Sequence, residues 1–121
     1  MTDQEIVLKI AEKLYERKAQ DISALKVGHL TVLCDWMLIA SGRTAAQVAA
    51  LAEDVEELLA KEGIVLRRSE GKSDGRWAIL DYGHIIIHLF HRDERTYYNL
   101  DRLWNDGTND VELPFDQSVP D

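Results

Sequence analysis

Two apolar runs separated by one turn constrain this chain more than any other feature in it. Residues 76–81 read Arg-Trp-Ala-Ile-Leu-Asp and residues 85–90 read Ile-Ile-Ile-His-Leu-Phe, with Tyr82-Gly83-His84 between them. A glycine after a bulky residue at the centre of such a stretch is a hairpin signal. A loop made of Tyr82 and Gly83 puts Asp81 opposite His84, Ile79 opposite Ile86 and Trp77 opposite His88. Strand alternation then assigns Ala78, Leu80, Ile85, Ile87 and Leu89 to one face and Trp77, Ile79, Ile86, His88 and Phe90 to the other. A one-residue change in loop length exchanges these assignments. Both faces are apolar, so the hairpin is either central and covered by helices on both sides, or covered on one side with part of the Trp77 face left as a docking surface.

The 121 residues suffice for one domain with a real core and not for two. Cys34 is the single cysteine, which excludes an internal disulfide and any cysteine-based zinc cluster and suits a reducing, cytoplasmic setting. The opening Met1-Thr2-Asp3-Gln4-Glu5 is acidic rather than cationic, and no apolar run approaches the roughly 18 residues of a membrane span. A formal net charge of −8 disfavours a protein that grips phosphate backbones through its overall field, and suits a basic protein partner better.

Residues 2–18 carry Ile6, Leu8, Ile10, Ala11, Leu14 and Tyr15 mostly at helical spacing, with Thr2 or Asp3 able to cap and Glu5 in the first turn. Residues 21–27 alternate apolar and polar side chains up to Gly28, as a half-buried strand does. Residues 34–40, an apolar run bounded by Ser41-Gly42, have the profile of a buried strand. Thr44 is a good N-cap for a second helix to about Lys61, with Val48, Leu51, Ala52, Val55, Leu58 and Leu59 on one stripe and Gly63 as its terminator. Residues 64–70 form an edge strand, residues 71–75 a loop, and residues 94–104 a third helix packed through Tyr98, Leu100, Leu103 and Trp104. Residues 107–121 are acidic, contain both prolines and lack periodicity, which reads as a loose tail beyond a domain spanning residues 1–106. The order is αββαβββα: an α+β fold with a mixed five-stranded sheet, one strand pair flanking the second helix and the other forming the hairpin.

Chemical constellations are thin. His84 and His88 share a strand face but lie about 13 Å apart along it, and His91 points the other way, so the three histidines do not converge on a metal. Cys34 beside an apolar strand reads as a buried structural thiol. The Ser41-Gly42-Arg43-Thr44 turn joins a strand to a helix, where backbone N–H groups and Arg43 could hold an anion, so a nucleotide-binding or nucleotidyl-transfer enzyme is the second reading. Such transfer also needs paired metal-binding carboxylates on a strand, and the strand after the second helix has none. Asp35 and Asp81 are isolated acids inside apolar runs, residue types that more often cap or bridge elements. Arg92, Asp93, Glu94 and Arg95 read as a solvated helix start, with Arg95 the member best placed for a specific contact.

Several segments occur together in a recognisable order: residues 35–42 (Asp-Trp-Met-Leu-Ile-Ala-Ser-Gly), Gln47-Val48 with Ala50, Glu70-Gly71, Trp77 to Gly83, His88-Leu89-Phe90, Arg95 with Tyr97-Tyr98, and Leu100-Asp101-Arg102-Leu103-Trp104. In this combination the chain resembles the bacterial ribosomal silencing factors, also called Iojap-like proteins, from about Ile6 to Asp106. It departs modestly, with His84 where many relatives carry an acid and Asp101 where the family motif has Glu.

The resemblance implies a translation regulator, not an enzyme, with a nucleotidyltransferase-like fold that lacks the metal-binding carboxylates. It implies binding to the large ribosomal subunit through its fourteenth protein, so that the small subunit is sterically kept from joining when nutrients are scarce. No cofactor, metal, membrane or sequence-specific nucleic acid is implied. On this reading Trp77, Ile79, His88 and Phe90, together with Asp81, Tyr82, Arg95 and Tyr98, dock on a basic ribosomal protein, with aromatic anchors supplying affinity and rim acids steering encounter. His88 would make that docking depend on pH near neutrality. A homodimer through the same apolar face is the third reading.

Overall fold

In the computed structural model, which describes residues 1–117, a mixed five-stranded sheet organises the chain. The elements run α1 (Asp3–Glu16), β1 (Gln20–Lys26), β2 (Trp36–Gly42), α2 (Ala45–Lys61), β3 (Arg68–Glu70), β4 (Trp77–Asp81), β5 (Ile85–His91), α3 (Arg92–Tyr98) and α4 (Leu100–Trp104). The spatial order is β1-β2-β5-β4-β3, with β2 and β5 parallel at its centre and every other pairing antiparallel. The α+β class and the mixed sheet are as the patterning predicts. The strands flanking α2 are not neighbours, since β5 and β4 lie between β2 and β3.

Local chemistry explains where the long helices begin. Thr2 and Glu5 form a reciprocal capping box on α1, and Thr44 Oγ1 accepts from the Gln47 N–H at the start of α2. The α1 stripe turned inward is Val7, Ile10, Ala11 and Leu14, so the helix is rotated from the expected stripe, which included Leu8 in place of Val7. On α2 the buried stripe is Val48, Leu51, Ala52, Val55 and Leu59. Both stripes cover one face of the sheet, closing over Ile22, Ala24, Leu38, Ala40, Ala78, Leu80, Ile85, Ile87 and Leu89. Each valine, leucine or isoleucine among them contributes roughly 1.5–3 kcal/mol by leaving water, and this cluster is the main core.

Three expectations are corrected. The hairpin pairs Trp77 with Phe90, Ile79 with His88 and Asp81 with Ile86, and the Tyr82 N–H donates to the Ile85 carbonyl at 2.9 Å, so the turn is Gly83-His84 and not Tyr82-Gly83. Gly83 takes φ +91, a conformation open to glycine, and Asp81 Oδ1 accepts its N–H at 2.8 Å. Moving a two-residue turn by one position shifts the pairing by two residues, which preserves parity, so both face lists survive. The edge strand is three residues instead of seven, because Ile64 and Leu66 pack on the helix-side core and the Ile64 N–H bonds to Leu59 at the end of α2. The third helix breaks into α3 and α4 at Asn99, which sits in the left-handed region at φ 49, ψ 53.

The tail is also not loose as far as residue 117. Backbone bonds join Lys26 N to Asn109 O and Val111 N to Ala24 O, covering the outer edge of β1. The buried Asn109 side chain donates to Lys26 O at 2.8 Å and Trp104 O at 2.9 Å, and accepts from Asp106 N at 3.0 Å. Phe115 stacks on Tyr15 with centroids 4.3 Å apart, and the Gln117 amide bonds both backbone groups of Ile22. Polar side chains that bond distant backbone leave no periodicity to read, so this docking had no sequence signal. The expected tail over residues 118–121 lies outside the described residues. Substituting Asn109→Ala is expected to lower unfolding free energy by about 2–3 kcal/mol in urea titrations, since buried backbone groups lose partners; a loss below about 0.5 kcal/mol would show that the tail is not anchored there.

Candidate functional site

The second face of the sheet is only half covered. Leu100 and Trp104 pack with Leu25, Val27, Cys34, Met37, Ile39 and Phe90, while Trp77 and Ile86 border the same cluster and stay partly exposed, as does Ile79. Alternation brings them together: odd positions of β4 and even positions of β5 share this side. The result is a shallow bed whose floor is apolar and whose rim is mixed.

Trp77 is the hub of that bed. Its ring lies 4.9 Å from Phe90, 4.6 Å from Tyr98 and 5.9 Å from His88, centroid to centroid. Aromatic pairs of this kind are each worth about 0.5–1.5 kcal/mol beyond area burial, so the rings hold one another in place before any partner arrives. Tyr98 is 46% exposed and Tyr97, edge-on to it, is 80% exposed. Phe90 is fully buried and serves as floor, not contact surface.

His88 lies across from Ile79 on β4 and Ile39 on β2, nearly out of solvent. Trp77 Nε1–H donates to its Nδ1 at 3.0 Å. Burial disfavours the imidazolium and pulls the pKa of His88 down to about 4. The ring is therefore neutral from pH 6 to 8, which removes the expected pH dependence of docking near neutrality as far as this residue is concerned.

The remaining predicted residues fall elsewhere. Asp81 reaches the edge of the bed but its Oδ1 holds the hairpin turn. Tyr82 is on the helix side, 8% exposed in the main core, where burial and then the charge of Glu56 push its hydroxyl up to about 12. Arg95 is a bolt: only 12% of its side chain is exposed. Its guanidinium donates to both Asp101 oxygens at 3.1 and 2.8 Å, to Ser41 Oγ at 3.2 Å and Ser23 Oγ at 3.4 Å, and to the Asp21 carbonyl. A register shift between Gln20 and Ser23 bulges β1 beside Asp21. Arg95 thus clamps the α3–α4 elbow onto β1 and β2 and fixes where Tyr98 sits. Of the eight predicted residues, Trp77, Ile79, His88, Phe90 and Tyr98 converge, Asp81 borders them, and Tyr82 and Arg95 do not join. Ile86 joins on parity alone, and Arg68 and Glu70 face the same side through their pairing with Asp81 and Ile79.

At the Ser41–Thr44 turn a backbone donor is already taken by the following helix. The Arg43 N–H donates to Gln47 Oε1 at 2.6 Å and the Gln47 N–H to Thr44 Oγ1 at 3.0 Å. A cavity of ≈ 340 Å³ lies nearby, lined by Asp21, Ser41, Arg92, Arg95, Thr96, Asn99 and Asp101, with Arg95 already engaged as described. Cys34 is buried, and burial first, then Asp35 and Asp81, raise its thiol pKa away from the reactive thiolate. His84 pairs with Asp35 at 3.0 Å, and Asp3 brings a third potential ligand within 4.8 Å of both. Asp35 and His84 in that group are solvent-exposed.

Comparison with known proteins agrees with the resemblance drawn above and extends it. The family model described as "Ribosomal silencing factor during starvation" matches residues 1–120, which takes in all of the tail but its last residue. The chain is 35% identical over 113 residues to the ribosomal silencing factor of Halalkalibacterium halodurans, covering 93% of this chain and 96% of that one. It is 37% identical over 106 residues to the ribosomal silencing factor of Bacillus subtilis, covering 87% and 90% respectively. A crystal structure of a Chromobacterium violaceum protein superposes with TM-score 0.84 at 32% identity, over 99% of this chain and 98% of that one.

The buried His88 generates a stability prediction with a defined sign. Its folded pKa of about 4 lies below the unfolded value near 6.5, so unfolding takes up a proton between those values. Its contribution is fully present above pH 6.5 and is lost as pH falls towards 4, by roughly 3 kcal/mol in total. Urea unfolding from pH 7.5 to 4 is expected to show this slope in the wild-type protein and not in a His88→Gln protein; equal slopes would place the titration elsewhere.

Proposed function

Because the chain belongs to the ribosomal silencing factor family, we propose that it is a cytoplasmic translation regulator that binds the large ribosomal subunit and blocks joining of the small one. The contact we propose is the subunit's fourteenth protein, and the occasion is nutrient limitation. The role is occlusion: a bound domain occupies space the small subunit needs, and no bond is made or broken.

The observation that carries this reading is the half-covered sheet face with Trp77 at its centre, partly exposed among Ile79, Ile86, His88 and Tyr98. A preassembled aromatic bed costs little ordering entropy on binding, and large aromatic anchors dominate protein interfaces. Acids are plentiful on the helices, where Glu53, Glu57 and Glu12 are exposed, which favours approach to a basic partner while leaving the bed itself nearly uncharged. A second copy of this chain on the same face would compete with the ribosome, so self-association and silencing would oppose one another.

Co-sedimentation with separated ribosomal subunits tests partner and mechanism together. The wild-type protein is expected to travel with the large subunit and to lower the fraction of joined ribosomes when the small subunit is added. Trp77→Ala is expected to weaken that association at least about tenfold while circular dichroism stays unchanged, and Glu57→Ala, on the exposed face of α2, is expected to bind as wild type. Normal binding by a folded Trp77→Ala protein would remove this face from the interface.

A further inference from the structure

One polar atom of the aromatic bed, His88 Nε2, has no partner among the described residues. Trp77 Nε1–H donates to His88 Nδ1 at 3.0 Å, and a ring nitrogen that accepts carries no proton, so the neutral imidazole keeps its hydrogen on Nε2. Among the described residues, no bond to Nε2 is formed, yet no buried side-chain nitrogen or oxygen is left without a partner. Nε2 therefore reaches the surface. His88 is only 8% exposed, so the ring offers little surface to the outside and Nε2–H is its polar part. These neighbours of the ring offer it no acceptor: Ile79 pairs with His88 across the strands, and the rings of Trp77 and Phe90 lie 5.9 and 6.3 Å away.

We propose that His88 is the orienting donor of the docking face, its Nε2–H receiving an uncharged oxygen of the protein partner, a main-chain carbonyl that enters over Trp77 and Ile79. This assignment rests on the docking reading above and names the chemistry of its centre. A lysine or arginine side chain has no acceptor to offer, so the partner's cations belong at the rim, beside Glu70 and Asp81, which share this face. A carboxylate would be stripped of water against aromatic rings with no counter-charge, which is costly. A main-chain carbonyl carries two lone pairs, is present at every residue, and is costly to bury without a donor. The Trp77–His88 bond makes the donor directional: the tryptophan that supplies apolar contact also sets which nitrogen holds the proton.

Two measurements test this. In the free protein, imidazole nitrogen-15 NMR is expected to place the His88 proton on Nε2; a proton on Nδ1 would overturn the assignment. In co-sedimentation with separated large ribosomal subunits, His88→Gln, which keeps an acceptor for Trp77 and a donor of its own, is expected to bind within about twofold of wild type. His88→Met, which fills the space with no donor and only a weak acceptor, is expected to bind about three- to tenfold more weakly, the worth of one hydrogen bond; should it fail to fold, His88→Leu serves in its place. Undiminished binding by the apolar variant would show that Nε2–H meets only water, and equal weakening of both variants would reduce His88 to shape. If the wild-type protein itself does not sediment with large subunits, the docking reading falls; if it does and the variants do not separate as stated, only this assignment falls.

Discussion

The parallel pairing of β2 with β5 is the constraint on which the rest of the molecule depends. Its register runs unbroken from Trp36 opposite Ile85 to Gly42 opposite His91, so the two strands begin and end at the same levels. At the lower end the His84 carbonyl accepts from both Asp35 N and Trp36 N, locking the hairpin turn to the start of β2. At the upper end α2 leaves from Gly42 and α3 leaves from His91, which brings Ser41 within reach of Arg95. The Arg95 clamp, the elbow at Asn99 and the position of Tyr98 all follow from that shared level. A shift of β5 by one residue would put Ile86, His88 and Phe90 under α1 and α2 and Ile85, Ile87 and Leu89 on the open side.

A sheet this apolar on both sides needs more helix than the chain provides. Helices α1 and α2, 14 and 17 residues long, cover one face, while only the five residues of α4 and the end of α3 are available for the other. The β1–β2 half takes that cover through Leu100 and Trp104. The β4–β5 half is left to protect itself, and it does so with aromatic rings: Phe90 is sealed by Trp77, and Trp77 is flanked by Tyr98 and His88. Aromatic side chains with a polar end suit a boundary between dry and wet, since one end packs while the other meets water. The neutral, tautomer-fixed His88 fits the same logic, since a charged imidazole at that depth would destabilise the bed it belongs to.

How much of this was legible from residues alone depended on parity and periodicity. The two hairpin faces were readable because any two-residue turn in that stretch gives the same odd and even sets, so placing the turn one residue early did no harm. The long helices announced themselves through Thr2 with Glu5 and through Thr44. Tyr82 was misplaced because it sits next to the turn, where its side chain follows the strand parity of Leu80 into the main core. Arg95 looked like a surface contact because its partners, Ser23, Ser41 and the Asp21 carbonyl, are 54 to 74 residues away and polar. Asn109 escaped notice for the same reason: its bonds are to backbone, and backbone has no sequence. The Asn99 break competed with a continuous helical pattern and won because asparagine accepts left-handed geometry, which lets Asp101 fold back onto Arg95.

The two outer strands of the sheet decide what kind of recognition remains open to it. On β1 the tail supplies hydrogen bonds from residues 109 and 111 and covers the edge, so strand addition there is already taken. On the other side β3 is three residues long, fully exposed, and carries Arg68 and Glu70, both features that discourage pairing with another strand. It is also cut short by Gly71, at φ +76, where a Cβ would lie 1.9 Å from the Trp77 carbonyl oxygen. That close approach turns the chain out of the sheet before a longer edge can form. With one edge covered and the other truncated and charged, β-augmentation is a poor route to binding, and what the molecule presents is a face. Recognition by a face works through side-chain packing and a few directed hydrogen bonds, not through a backbone ladder, so the identity of the side chains at Trp77, Ile79, Ile86 and His88 matters in a way that it would not along an edge.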